Sequence, residues 1–135
     1  MATDHKTPSR RRRQQRAARA AGLPASSRHI FLCGDDDKQK CASRERLRSA
    51  WKLLKRRLDE LGLADAGTVA RTRTHCLRVC EAGPIAVVYP EGAWYGECDA
   101  ERLERIVGEH LVGGRVVDDL LIVARPLAPD AAPEP

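Results

Sequence analysis

The stretch Cys76-Leu77-Arg78-Val79-Cys80-Glu81-Ala82-Gly83-Pro84-Ile85-Ala86-Val87-Val88-Tyr89-Pro90-Glu91-Gly92-Ala93-Trp94-Tyr95 decides how this chain folds. Ile85 to Tyr89 is an uncharged, largely β-branched run and reads as the strongest strand in the sequence. Pro90-Glu91-Gly92 turns the chain, and Ala93-Trp94-Tyr95 returns as a short antiparallel partner. The loop ahead of the strand carries two cysteines, Cys76 and Cys80. A sheet is therefore placed next to a pair of thiols.

Toward the N-terminus, Thr68 to Arg73 predicts another strand, and before it lies the most sharply patterned segment of the chain. From Arg44 to Leu61, apolar residues fall at Leu47, Ala50, Trp51, Leu54, Leu58 and Leu61, with Arg46, Lys52, Arg56 and Asp59 on the opposite face. Steps of three and four give a helix with one apolar face, with Ser43 as N-cap and Gly62 as terminator. His29-Ile30-Phe31-Leu32-Cys33 reads as a buried first strand. A loop through Gly34, Asp35, Asp36 and Asp37 then leads to Cys41. Strand, helix and strand in this order favour a right-handed parallel βαβ unit.

Toward the C-terminus, Asp99 caps a second helix with the stripe Leu103, Ile106, Val107, His110 and Leu111, ended by Gly113-Gly114. Val116 to Ile122 is apolar enough to pack on the domain. The order β-α-β-β-β-α predicts an α/β, two-layer (α+β) domain of thioredoxin-like topology with a four-stranded mixed sheet. A disulfide oxidoreductase of that topology uses Cys-x-x-Cys at a helix N-terminus, which this chain lacks.

The 135 residues suit one domain with tails. The formal charge of +5 belongs to an arm: residues 1–27 hold Lys6, Arg10, Arg11, Arg12, Arg13, Arg16 and Arg19 against Asp4 alone, so the remaining 108 residues sum to −1. The expected organisation is a basic disordered arm over residues 1–27, a folded domain over 28–123 and a Pro/Ala-rich disordered tail over 124–135. Within the arm, Arg10 to Ala21 has the composition to become helical on an anionic partner. There is no run of 18 apolar residues, so no membrane-spanning helix is expected. The basic N-terminus lacks the apolar stretch of a secretory signal. The expectation is a cytoplasmic protein without membrane contact.

Five cysteines in a reducing compartment argue for ligation of a metal rather than a disulfide framework. Cys33 pairs with Cys41 and Cys76 with Cys80, each pair beside a strand end, so two loops can meet with four sulfurs around one inorganic centre. Four thiolates suit either a structural zinc ion or a [2Fe–2S] cluster. The three-residue gap between Cys76 and Cys80 suits zinc, whereas the seven-residue gap between Cys33 and Cys41 is wide for it. Spacing overlaps between metals, and the residues alone leave both open.

The stretch from His29 to Cys33, the Cys76-x-x-x-Cys80-x-x-Gly83-Pro84 piece, the Tyr89-Pro90-Glu91-Gly92 turn with Ala93-Trp94-Tyr95, and the segment from Leu103 through His110 to Gly114 together resemble the thioredoxin-like, or Shethna-type, [2Fe–2S] ferredoxins. The resemblance covers roughly residues 28–123. It implies a [2Fe–2S] cluster held by Cys33, Cys41, Cys76 and Cys80, and a one-electron carrier, often a homodimer, that is not itself an enzyme. Many relatives have a longer loop between the first two cysteines. Gly83 is expected to permit close backbone approach and N–H···S contacts, and Arg78 to place a positive charge between two ligands.

Other residues have plainer readings. Cys98 reads as a packed thiol near the sheet end, and His110 as a hydrogen-bonded core residue. His29 and His75 are not needed where four cysteines complete the set. Asp35 to Asp37 lack the alternation of a calcium loop and read as a solvated loop, available as an acidic docking patch for a basic redox partner. Trp94, Tyr95 and the cysteine loops are the expected docking surface for reductase and acceptor. The rival reading is a zinc-stabilised or redox-sensing nucleic-acid-binding module that uses Arg10, Arg11, Arg12 and Arg13. The charge suits phosphate, but no aromatic interleaving or reading motif accompanies it.

Overall fold

The computed structural model describes residues 2–34, 42–64, 67–79 and 81–126, with side chains from residue 9 onward. Strands β1 (Arg28–Cys33), β2 (Val69–Thr74), β3 (Ala86–Tyr89), β4 (Ala93–Tyr95) and β5 (Leu121–Ala124) form one sheet in the order β2-β1-β3-β4-β5. β1 and β2 run parallel, as the strand–helix–strand order requires, and the other pairs are antiparallel. The fold class is the expected mixed α/β. The sheet has five strands where the sequence predicts four, because the apolar segment after Gly114 does more than pack on the domain. Its end pairs with β4, from Ala93↔Ala124 to Tyr95↔Leu121.

Gly92 makes that pairing possible. It holds φ +64, and a Cβ there would lie 1.9 Å from the Arg125 carbonyl oxygen. The Arg125 N–H donates to the Gly92 carbonyl at 2.9 Å. Only glycine combines this backbone region with so close an approach.

The helix α1 (Ala2–Ala20) occupies the arm that composition assigns to disorder. Arg, Gln and Ala favour helix locally, and with no apolar stripe to bury, α1 lies exposed beside the domain rather than in its core. The tail beyond residue 126 is outside the described residues.

Helix α2 (Arg44–Glu60) starts at Ser43, whose Oγ accepts the Arg46 N–H at 3.2 Å. It buries Leu47, Ala50, Leu54 and Leu58, while Trp51 is half-buried and Leu61, past the last turn, is exposed. Helix α3 (Ala100–Arg105) continues as π-helical turns over Ile106–Val112, and together they bury Leu103, Ile106, Val107, His110 and Leu111. All but Leu47 of these stripes meet Ile30, Leu32, Val88 and Tyr95 of the sheet in the main core. Each fully buried Leu or Ile contributes about 1.5–3 kcal/mol.

His110 is the polar exception in that core. Its Nδ1 is 2.8 Å from the Tyr95 hydroxyl and its Nε2 is 2.8 Å from Glu91 Oε1. Arg28 donates to both Glu91 oxygens, at 3.2 and 3.1 Å, and the Val117 N–H donates to the Tyr95 oxygen at 3.0 Å. Burial lowers the His110 pKa, although its hydrogen bond with Glu91 opposes the shift. Neutral imidazole completes the chain: Val117 N–H to Tyr95, Tyr95 O–H to Nδ1, and Nε2–H to the carboxylate. Burial would raise the Glu91 pKa, but hydrogen bonds from His110 and Arg28 hold it below the ordinary value. The Pro90-Glu91-Gly92 turn is thus fastened to β1 and to the second helix.

Candidate metal centre

Parallel pairing brings the two cysteine loops to the same end of the sheet. In the β1–β2 register Cys33 lies opposite Thr74, two residues before Cys76. β3 enters from that end as well: the Cys33 N–H donates to the Ile85 carbonyl at 2.9 Å, and the Ile85 N–H returns a bond to Cys33 Sγ at 3.1 Å. Ligand sites of open α/β sheets gather at the carboxyl ends of the parallel strands.

A second apolar cluster, separate from the main core, forms there. It comprises Cys33, Ala42, Leu47 and Ile85, with Leu77, Val79 and Trp94 against it. Its membership follows the four cysteines. Cys33 is itself a member, Ala42 follows Cys41, Leu77 follows Cys76, and Val79 precedes Cys80. Cys33 is buried and Cys76 exposed. Cys41 and Cys80 lie outside the described residues.

Sulfur at this site is met by backbone donors. Besides Ile85 on Cys33, the Arg78 N–H donates to Cys76 Sγ at 3.2 Å. Arg78 adopts φ +73 and Ala82 φ +47, a region that non-glycine residues occupy at a cost of order 1–3 kcal/mol when the surroundings enforce it. Thiolate sulfur ligates iron or zinc, and N–H groups directed at sulfur suit such a ligand. The described residues therefore fit a thiolate-held centre.

The sequence assigns Gly83 to sulfur contact, and the structure gives its carbonyl another task. Arg46 of α2 donates to the Gly83 oxygen at 3.0 Å and forms a two-point ion pair with Asp99. Arg46 thereby ties the start of α2, just after Cys41, to the loop leaving Cys80 and to the start of α3. Asp99 sits at the N-cap position of α3 without a side-chain capping bond, since its carboxylate is turned to Arg46. Helical periodicity marks Arg46 only as a solvated residue, so sequence reasoning missed this role.

Cys98 is fully buried, and its Sγ–H donates toward the Tyr95 and Gly96 carbonyls at 3.5 and 3.7 Å. Burial, followed by the charge of Cys33, pushes its thiol pKa far upward. It is a protonated, packed thiol, as the sequence predicts. Tyr95, expected at the docking surface, is instead 0% exposed. The alternation of β4 turns Tyr95 into the main core and Trp94 toward the cysteine cluster. Asp35 to Asp37 lie outside the described residues. His75 is exposed. His29 is half-buried, stacks on Phe31 at 4.1 Å between ring centroids, and sits 2.7 Å from Thr72 Oγ1.

Fold and site together define a small thioredoxin-like protein that carries Cys33 and Cys76 at one end of its sheet. Two curated relatives are 2Fe-2S ferredoxins. That of Clostridium pasteurianum is 37% identical over 100 residues, spanning 70% of this chain and 94% of that protein. That of Aquifex aeolicus is 34% identical over 103 residues, spanning 73% and 91%. Among solved structures, the wild-type thioredoxin-like [2Fe-2S] ferredoxin from Aquifex aeolicus superposes with TM-score 0.61 at 31% identity, covering 73% of this chain and 99% of that one. No family model matches the chain. The chain belongs to the thioredoxin-like [2Fe–2S] ferredoxins.

Proposed function

We propose that this protein is a one-electron carrier holding one [2Fe–2S] cluster through Cys33, Cys41, Cys76 and Cys80. The cluster supplies the one-electron redox change; the chain supplies its ligands, its hydrogen bonds and its access. The observation that carries the reading is the gathering, around buried Cys33, of a chain neighbour of each of the other three cysteines. The N–H···S bonds from Ile85 and Arg78 support it, as do the ferredoxin relatives. Nothing in those relatives favours the zinc-stabilised or nucleic-acid-binding alternative.

Electron carriage calls for brief encounters with a reductase and an acceptor over interfaces under about 1,200 Å². Trp94 and the cysteine loops form the near surface. In this reading the protein needs no catalytic residues of its own and works in the cytoplasm, alone or as a homodimer. No helix among the described residues is long and apolar enough to cross a membrane.

The test is oxygen-free purification with iron, sulfide and zinc analysis, an absorption spectrum, and paramagnetic resonance after reduction. A reddish-brown protein with equimolar iron and sulfide and a rhombic signal when reduced is expected. Cys→Ala at each of the four positions should abolish it. Colourless protein holding zinc, or neither iron nor sulfide after reconstitution, refutes the reading.

A further inference from the structure

Helix α1 carries Arg10, Arg11, Arg12, Arg13, Arg16 and Arg19, and no acidic residue occurs from Ser9 to Ser27. From Ser9 to Ala20 every residue is exposed except Ala18, which is half-buried. None of these arginines takes part in an ion pair among the described residues.

The end of this helix is nonetheless fastened to the domain. Gly22 and Gly67 meet backbone to backbone at positive φ, so that a Cβ on Gly22 would lie 2.4 Å from the Gly67 Cα. The Ser26 hydroxyl donates to the Gly22 carbonyl at 3.4 Å. Ser27 donates to the Thr68 carbonyl through its N–H at 2.9 Å and its hydroxyl at 3.2 Å. The joint adjoins Arg28, the first residue of β1, whereas Cys33 is the last. The basic helix and the metal centre therefore belong to opposite ends of β1.

Successive helical residues turn by about 100°, so Arg10 to Arg13 project to four different sides, and Arg16 and Arg19 return to the side of Arg12. These charges fall within about 15 Å of helix axis, one per about 2.5 Å, against one phosphate per about 1.7 Å of duplex DNA. A flat anionic surface, whether bilayer or protein, meets only one side of a helix. A helix that lies in a bilayer surface also needs an apolar face, and α1 has no apolar stripe. Charge on all sides suits a trough with phosphates along both walls. The major groove of B-DNA, about 12 Å wide, admits a helix of about 10–12 Å, whereas that of duplex RNA is deep and narrow.

We infer that α1 is a duplex-DNA-binding element that lies in the major groove with its arginines on the phosphates of both strands. Stacking aromatics, absent from the arm, serve single strands rather than duplexes. The site is a second one, added to the electron carrier and separate from its metal centre.

The experiment titrates reconstituted full-length protein into a fluorescein-labelled DNA duplex of about 20 base pairs and reads fluorescence anisotropy between about 50 and 200 mM salt. Wild type should bind with a Kd below about 5 µM at the lowest salt, and log K should fall with log salt at a slope of about −4 to −5, since each neutralised phosphate contributes about −0.9. Arg10→Ala/Arg11→Ala and Arg12→Ala/Arg16→Ala each remove a pair, from opposite sides of the helix. Each should weaken binding at least about tenfold at about 0.1 M salt and flatten the slope by about 1.8. Alanine preserves the helix, which far-UV circular dichroism verifies. Lys52→Ala/Arg56→Ala, an equal charge loss at exposed positions of α2, should change affinity by less than about threefold. Oxidised and reduced protein should bind alike, because the cysteines lie at the other end of β1.

Loss confined to one arm pair is the mark of a flat partner and overturns the inference. So does equal loss in the α2 control, binding confined to one redox state, or no binding at the lowest salt. Duplex RNA or phosphatidylserine vesicles that displace the labelled DNA at lower phosphate concentration than unlabelled DNA also overturn it. A wild type without an iron–sulfur spectrum refutes the carrier reading instead and leaves the DNA titration readable, so the two failures are distinct.

Discussion

Replacing Tyr95 by Phe removes one oxygen atom from the buried chain that runs from Val117 to Glu91. The ring stays in place, so no cavity forms and the apolar burial of Tyr95 is kept. Two buried groups lose their partners: the Val117 N–H, now 3.0 Å from the hydroxyl, and His110 Nδ1, at 2.8 Å. An orphaned buried polar group costs about 1–3 kcal/mol, and deleting the hydroxyl relieves its own burial cost, so the change should cost about 2–4 kcal/mol in all. That is a large share of the 5–15 kcal/mol typical of a folded domain. With a urea slope of about 1.5 kcal/mol/M, the unfolding midpoint should fall by roughly 1.5–2.5 M with the slope unchanged. The assay is urea unfolding of the reconstituted protein under oxygen-free conditions, followed by far-UV circular dichroism. Pairing Tyr95→Phe with His110→Leu should cost less than the sum of the two single changes, since each removes a group the other leaves unpaired. A midpoint shift below about 0.3 M for Tyr95→Phe would refute the reasoning, because an orphaned pair cannot be that cheap.

Burial lowers the pKa of both His29 and His110, so their contribution is complete above their ordinary pKa and is lost as pH falls through the depressed values. Acidification from pH 7.5 to 6.0 should therefore lower the unfolding midpoint, by at most about 1.4 kcal/mol per histidine for each pH unit below about 6.5; a midpoint that rises would contradict the burial argument. Arg46→Ala frees the Gly83 carbonyl from its tie to α2 and breaks the Asp99 pair. It should speed bleaching of the visible absorption in the presence of a chelator by about tenfold, the scale on which groups supporting metal ligands act, and an unchanged half-life would remove Arg46 from the site. Cys98→Ser should keep iron content and spectrum at wild-type levels, since Cys98 donates its proton to main-chain carbonyls; loss of iron would make Cys98 a ligand.

Strong local patterns in this chain were legible without coordinates. The α2 stripe, the Ser43 cap, the uncharged β3 and its turn into β4 each rest on neighbours in sequence. The same holds for His110 as a bonded core residue, since a lone histidine on an apolar stripe must be satisfied where it is buried. The fifth strand was not legible. Val116 to Ile122 shows only that the segment is apolar, and strand pairing depends on the free edge of β4 and on Gly92 admitting the Arg125 carbonyl. Tyr95 was misplaced at the surface because aromatic composition does not say which face of a strand turns inward. The helical arm went the other way: its propensity was readable, but composition without an apolar face argued for disorder.

By itself the sequence determined the run of elements from β1 to α3 and the family. Local periodicity and short-range spacing are properties of the chain alone. Only the tertiary structure decided that Ile85 and Arg78 aim N–H groups at sulfur, that Arg46 fastens the cysteine loop to α2, and that the Arg73 side chain lies over Gly34. These contacts join residues far apart in the chain or turn on a backbone angle such as that of Arg78. They arise when strand register fixes which residues lie side by side, and no local pattern encodes that register.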